Sequence, residues 1–222
     1  MDGVKFAGGE FNSTMYSKFI PDKDNIIPIN DQRYYEDDIV SQLEEFMRTC
    51  FGEDTFERNL SFIADTLENE GSSSREVIRN YFLKDFYKDH LKMYQKRPIY
   101  WLYDSGKQNG FKALVYMHRF DEDTAGKVRV DYLHQLQKTY ERTIFNLQDD
   151  ISNCKDAKEI TKLQKRIEKL TKQLKECKEY DERLGHMALE RVLIDLDDGV
   201  KVNYQKVQTD SKGNFHQILA EI

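Results

Sequence analysis

The chain has 222 residues, 33% charged and 39% hydrophobic, with a formal net charge of −6. That length suffices for one large domain or two small ones around a real core, and an aromatic content of 12% argues against a disordered tract. The acidic balance argues against a uniformly basic nucleic-acid binder, and the widely spaced Cys50, Cys154 and Cys177, with no Cys-x-x-Cys pair, argue against a disulfide framework or a zinc cluster.

No apolar run reaches the roughly 18 residues a membrane span needs, and no signal peptide is visible, so the expectation is a cytoplasmic protein with no membrane segment. Residues 1–30, MDGVKFAGGEFNSTMYSKFIPDKDNIIPIN, carry glycines and prolines and show no helical period. They read as loop and short strands, the tail of a domain that begins upstream.

Helices are expected next. YEDDIVSQLEEFMRTCFG sets Ile39, Leu43, Phe46, Met47 and Cys50 at helical spacing, has acids in its first turn and stops at Gly52. EDTFERNLSFIADTLE places Phe56, Leu60, Ile63 and Leu67 on one face. GSSSREVIRNYFLKDFYKDHLKMYQK opens with Ser73 ahead of Glu76 at capping-box spacing, and its apolar stripe is Val77, Ile78, Tyr81, Phe82 and Phe86. Lys84, Lys88, Lys92 and Lys96 recur at every fourth position, as one basic ridge.

RPIYWLY and FKALVYM, separated by DSGKQNG, are rich in β-branched and aromatic residues. They predict a β-hairpin at about 97–117. Ile99, Trp101 and Tyr103 point one way, Tyr100 and Leu102 the other, so the strand should be covered on both faces. Its loop holds Ser105, Gly106, Lys107, Gln108 and Asn109, polar and rich in donors. Such a loop can reach phosphates or base edges, with Lys96 and Arg119 continuing the surface; a plain solvated turn fits the same residues.

From Thr124 the pattern changes to a seam: Leu133, Leu136, Tyr140, Leu147 and Ile151, then, after SNCKDAK, Ile160, Leu163, Ile167, Leu170, Leu174 and Cys177. Two heptad helices joined by a short polar turn predict an antiparallel coiled-coil hairpin. The tail predicts a short hairpin turning at Asp198-Gly199, between Val192–Leu196 and Val200–Tyr204, and then a strand or helix docked on the body. The expected fold class is α+β, mostly helical. A helical body with its hairpin occupies 1–123, the coiled-coil arm 124–190, and a C-terminal hairpin and tail packed on the body 191–222.

Charge is uneven along this plan. Residues 1–70 hold 6 basic and 16 acidic side chains (net −10), residues 71–119 hold 10 and 4 (net +6), and 155–184 hold 10 and 7 (net +3). A dipolar surface and ordinary solvated helix faces both fit these sums. Local motifs do not support an autonomous enzyme. Gly8-Gly9-Glu10-Phe11 is a residue short of a nucleotide-cyclase signature. Ser105-Gly106-Lys107 has Trp101 where a phosphate loop needs glycine, and Gln108 where it needs Ser or Thr. Asp195, Asp197 and Asp198 form a charged turn without a calcium loop's closing Glu. His118 and His134 have no partner at metal-ligand spacing.

The segments DNIIPI, EFMRTCFG, REVIRNYFLKDFYKDHLKMYQKRPIYWLYDSGKQNGFKALVYMHRFDEDT, VRVDYLHQLQ and IDLDDGVKVNY resemble the C-terminal part of PglX-type adenine-specific DNA methyltransferases of BREX phage-defence systems. Related restriction–modification methylases carry similar segments. The resemblance runs from about Asp24 to Tyr204 and is most specific over 96–119. That family's catalytic region holds an Asn-Pro-Pro-Tyr motif and a glycine-containing loop for S-adenosylmethionine. Neither is present here, and Pro21, Pro28 and Pro98 each stand alone.

The resemblance therefore implies the region after the catalytic domain, with no catalytic residue and no cofactor of its own. S-adenosylmethionine would belong to the parent's catalytic domain. It implies a DNA-recognition or scaffold fragment that meets double-stranded DNA through the parent enzyme, with Lys107, Asn109, Ser105, Arg119 and Lys96 as candidate contacts. The rival expectation is a module that docks other subunits of the defence system. Because the outer positions of the arm are mostly Lys, Glu and Gln, a tight second partner there is disfavoured.

Overall fold

The computed structural model describes residues 23–222 together with Phe19 and the backbone of 5–6 and 9–10. Those backbone pieces form a two-residue ladder, β1 (Lys5–Phe6) with β2 (Gly9–Glu10). The rest of the expectation for the first 22 residues lies outside the described residues.

The centre is a three-stranded antiparallel sheet in the order β3 (Ile26–Pro28), β5 (Lys112–Tyr116), β4 (Tyr100–Asp104). Trp101 pairs with Val115, and Val115 with Ile26. Strand alternation sends Trp101, Tyr103, Ala113 and Val115 into one core and Leu102 and Leu114 into another, so both faces are covered as expected. The chain's tail closes the free edge of β4. Ala220 N–H donates to Leu102 O at 2.8 Å, and Asp104 N–H to Ile218 O at 3.2 Å.

On one side of the sheet lie α1 (Ile39–Phe51), α2 (Phe56–Thr66), α3 (Ser74–Lys84) and α4 (Phe86–Met93). Asp38 caps α1 by accepting from Ser41 N–H at 2.9 Å and forms a buried ion pair with Arg79 at 2.5 Å. Val40, Met47, Phe56, Leu60, Ala64 and Ile78 make the core of these helices. Ser73 caps α3 through Glu76 N–H, while the Glu76 carboxylate accepts from Ser72 N–H, one residue before the position a capping box would use.

The single helix expected over 71–96 breaks at Asp85, whose carboxylate accepts from Asn69 at 2.8 Å. The break lets Phe82 and Leu83 from α3 and Phe86 and Tyr87 from α4 press on the same sheet face. It also divides the basic ridge, and Asp85 and Asp89 pair with Lys88 and Lys92.

Against the other sheet face lies an antiparallel helix pair. Its first limb runs from α5 (Thr124–Lys127) through a π-helical turn (Val128–Leu133) into α6 (His134–Asn153), and its second is α7 (Ala157–Glu190). The wide π turn frees the Tyr132 carbonyl, which accepts from Tyr35 Oη at 2.6 Å. Gln137 donates to Cys177 O, and Glu141 pairs with Lys178, which sets the antiparallel register. Leu136, Tyr140, Leu147, Leu170 and Cys177 are buried; Ile160, Leu163, Ile167 and Leu174 are half-buried. Near the sheet the same pair contributes Tyr180, Leu184 and Met187 to the core around Trp101.

The C-terminal hairpin expected at Asp198-Gly199 is corrected. A short 3-10 turn (Leu196–Asp198) leads through Gly199, at φ +82°, into α8 (Val200–Lys206). Helical spacing wins because Val200, Tyr204 and Val207 can all reach the main core, and buried Asn203 donates to Asp195 O at 2.5 Å. The alternation of a strand would have buried Val202, which is 55% exposed. Gln208, fully buried, ties the tail down by accepting from Ile218 N–H at 3.0 Å and Leu219 N–H at 2.9 Å.

Candidate nucleic-acid interface

The hairpin loop is a built object, with Glu176 of α7 at its centre. The Glu176 carboxylate accepts from Ser105 Oγ at 2.7 Å, Gln108 N–H at 2.7 Å and Gly110 N–H at 3.0 Å. A carboxylate ringed by donors in this way is the arrangement the loop would offer to an external anion, and it is filled from within the chain. Gly110 is required by the close approach to α7: a Cβ there would stand 2.8 Å from Gln173 O and 2.9 Å from Cys177 Sγ. Tyr140 Oη donates to Gly110 O at 2.8 Å from the facing helix. Nothing local in the sequence marks Glu176. It stands in a Lys/Glu-rich run and meets the loop across more than sixty residues.

The five candidate contacts fall into two groups. Ser105 turns inward and is 4% exposed. Its Oγ accepts from Phe111 N–H at 2.8 Å, and its carbonyl accepts from Arg183 at 3.2 Å, so it positions the loop and presents nothing outward. Asn109 is half-buried at φ +51°, a conformation asparagine tolerates, with its carbonyl taken by Gln173 Nε2 at 3.2 Å. Lys107 is exposed at the tip, beside an open cleft of about 480 Å3 that Lys112, Arg183 and Glu221 also line.

Lys96 and Arg119 stand at the other end of the hairpin, roughly 17 Å away along five strand residues. Lys96 is exposed in a left-handed turn after α4. Arg119 is exposed and donates to Lys23 O at 2.9 Å. The hairpin thus separates the two groups. At the Lys96 end there is also an aromatic cluster that the strand pattern did not announce: Tyr100 tilted against Tyr116 at 5.3 Å and Tyr116 against His118 at 4.9 Å between ring centroids. His90 lies behind it, accepting from Tyr100 N–H at 3.2 Å, and burial holds its imidazole below the ordinary value.

Among the described residues no group of His, Cys, Asp or Glu is arranged to hold a metal ion, and no helix is long and apolar enough to cross a membrane. The Cys177 thiol, buried beside Glu176, is pushed up to about 12 by loss of solvent.

No model of a known protein family matches the chain. It is 45% identical over 213 residues to the adenine-specific methyltransferase PglX of Lacticaseibacillus casei (strain Zhang), a match covering 95% of the chain and 18% of that protein. It is 41% identical over 213 residues to the adenine-specific methyltransferase BrxX of Escherichia coli O9:H4 (strain HS), covering 93% of the chain and 17% of that protein. Over nearly its whole length, then, this chain is homologous to one region of the PglX- and BrxX-type adenine-specific methyltransferases, and it spans less than a fifth of the length of those curated relatives.

Proposed function

We propose that this chain is a non-catalytic DNA-recognition and scaffold region of an adenine-specific DNA methyltransferase acting in phage defence, of the BREX or restriction–modification kind. The observation that supports this reading is the 45% identity, over 95% of the chain, to a protein named adenine-specific methyltransferase PglX. An enzyme that methylates a base draws it out of the duplex, and a second lobe must grip the DNA while it does so. A hairpin packed on both faces, with exposed cations at each end, suits that work. Methyl transfer and S-adenosylmethionine then belong to the rest of the parent protein, which this region follows.

Two titrations of the 222-residue chain test the reading. Calorimetry with S-adenosylmethionine should give no binding heat, and saturable micromolar binding would remove the non-catalytic assignment. A labelled duplex should bind with non-specific affinity of about 10−4 to 10−6 M near physiological salt, and more tightly as salt is lowered.

A second reading, a docking module for another defence subunit, draws on the exposed Leu189, Leu193, Leu196 and Phe215 near the C-terminal end of the described chain. A cleft of about 580 Å3 lies there, lined in part by Tyr204, Phe215 and Ile222. A chain that ignores duplex DNA but forms a stoichiometric complex with a co-expressed subunit, lost in Leu193→Ser/Phe215→Ser, would put this reading ahead.

A further inference from the structure

One face of α7 changes its surroundings along its length. Toward the C-terminal end of the helix, Gln173, Tyr180, Leu184 and Met187 on this face are buried against the hairpin and its core, and Glu176 is tied into the loop. Toward Ala157 the helix runs beyond the hairpin, and the same face carries Lys158, Lys162, Lys165, Lys169 and Lys172 at spacings of four and three. At 100° per residue these five lie within about 40° of Glu176 around the helix axis, on the side away from the α6 seam.

All five are exposed. Between Lys158 and Glu176 the acid sharing their azimuth is Glu176, which the loop consumes. Glu159 and Glu168 sit at the flanks and pair with Lys162 at 3.4 Å and Lys172 at 2.7 Å; Lys169 pairs with Asp31. Among the described residues Lys158 and Lys165 meet no carboxylate. The α3–α4 ridge is likewise paired at two of its lysines, by Asp85 and Asp89, and differs in being broken at Asp85, where one helix ends and the next begins.

We propose that this lysine face of α7, ending at Lys107 on the Glu176-anchored loop, is a docking surface for the phosphate backbone of duplex DNA. This rests on the DNA-recognition reading above and names the surface that performs it. The occupant follows from charge complementarity. Lys158 to Lys172 rise about 21 Å, the length over which one strand of B-form DNA sets about six phosphates at 3.4 Å each. Flexible ammonium groups in a row suit an evenly spaced polyanion without reading its bases. Residues 155–184 are net +3 within a chain of net −6, and among the acids of residues 1–70 Asp31 meets this face, at Lys169.

The test is fluorescence anisotropy of the 222-residue chain with a labelled 30-bp duplex over a salt series. Lys158→Gln/Lys162→Gln/Lys165→Gln removes three cations that touch no core residue, so thermal melts should match wild type. The expected result is at least a tenfold loss of affinity at low salt and a slope of log K against log salt flatter by about two to three. The control Lys84→Gln/Lys88→Gln/Lys92→Gln should change the slope by less than one. If wild type binds and the α7 variant binds equally well, the face is a solvated helix surface and this inference falls while the DNA-recognition reading stands. If wild type binds no duplex at all, both fall. Binding lost in the variant, but preferring RNA of equal length or phosphatidylserine vesicles over the DNA duplex, also overturns the assignment to DNA.

Discussion

Glu176 illustrates what one side chain can hold in place. Its carboxylate satisfies two backbone donors and a hydroxyl that a partly buried loop would otherwise leave orphaned. Glu176→Ala should destabilise the chain by about 2 kcal/mol, read as a lower urea midpoint, while Glu176→Gln, which keeps an acceptor oxygen, should cost about half as much. Lys107 is the opposite case, exposed at the tip of the same loop. In a parent-length methyltransferase Lys107→Ala should weaken binding to every duplex alike and flatten the salt slope by about one, with no change in melting temperature. His90 adds a pH dependence. Its buried ring must be neutral to accept from Tyr100 N–H, and its folded pKa is lowered. As pH falls, the unfolded chain takes up this proton first, so the contribution is present above about pH 6.5 and is lost progressively below it. The urea midpoint should fall between about pH 7 and pH 5, and fall less in His90→Asn.

At the level of elements, the helix pair α6–α7 is unevenly buried. Leu170 is 3% exposed, while Ile160, nearer the turn, is only half-buried. Leu170→Ala should cost about 2–4 kcal/mol in chemical denaturation and Ile160→Ala about 1 kcal/mol, because a partly wet seam loses less transfer energy and leaves no closed cavity. Equal costs would mean that the turn end of the pair is as dry as the end at the sheet. The sheet end is dry because Tyr180, Leu184 and Met187 complete a core with Trp101 and Val115. The α3–α4 break and the helix α8 have the same origin: each turns apolar residues toward a surface that a straight helix or a strand would have missed.

Across the whole molecule, the sheet couples the two helical layers. Trp101 sits at 0% exposure in the core shared with α7, and its strand neighbour Leu102 belongs to the core shared with α3 and α4. Heat should therefore unfold residues 23–222 in one transition. The fluorescence of Trp101, the chain's only tryptophan, and the far-UV circular dichroism of the helices should share a midpoint within about 2 °C. Trp101→Ala should lower both together, by about 3–5 kcal/mol of stability. Separate midpoints would mean that the α1–α3 core melts independently of the sheet.

Periodicity alone determined the helices of residues 39–66, the hairpin around Trp101 and the two limbs of the α6–α7 pair, because each buries a stripe whose spacing is written locally. The similarity to PglX-type methyltransferases was likewise carried by contiguous segments such as 96–119. Tertiary structure alone decided the rest. The strand expected at Val200–Tyr204 became a helix because Val200, Tyr204 and Val207 share one distant core, and a local pattern of alternating apolar residues does not specify what it will pack against. Ser105 and the loop amides changed from outward donors to internal ones because Glu176, some seventy residues away, reaches them first. Lys96 and Lys107, eleven residues apart in sequence, stand at opposite ends of a strand pair, and the exposed lysine face of α7 lies beyond the part of the helix that Gln173 and Glu176 tie to the hairpin loop. Which side chains face solvent depends on where elements end against one another, and that is a property of the packed chain.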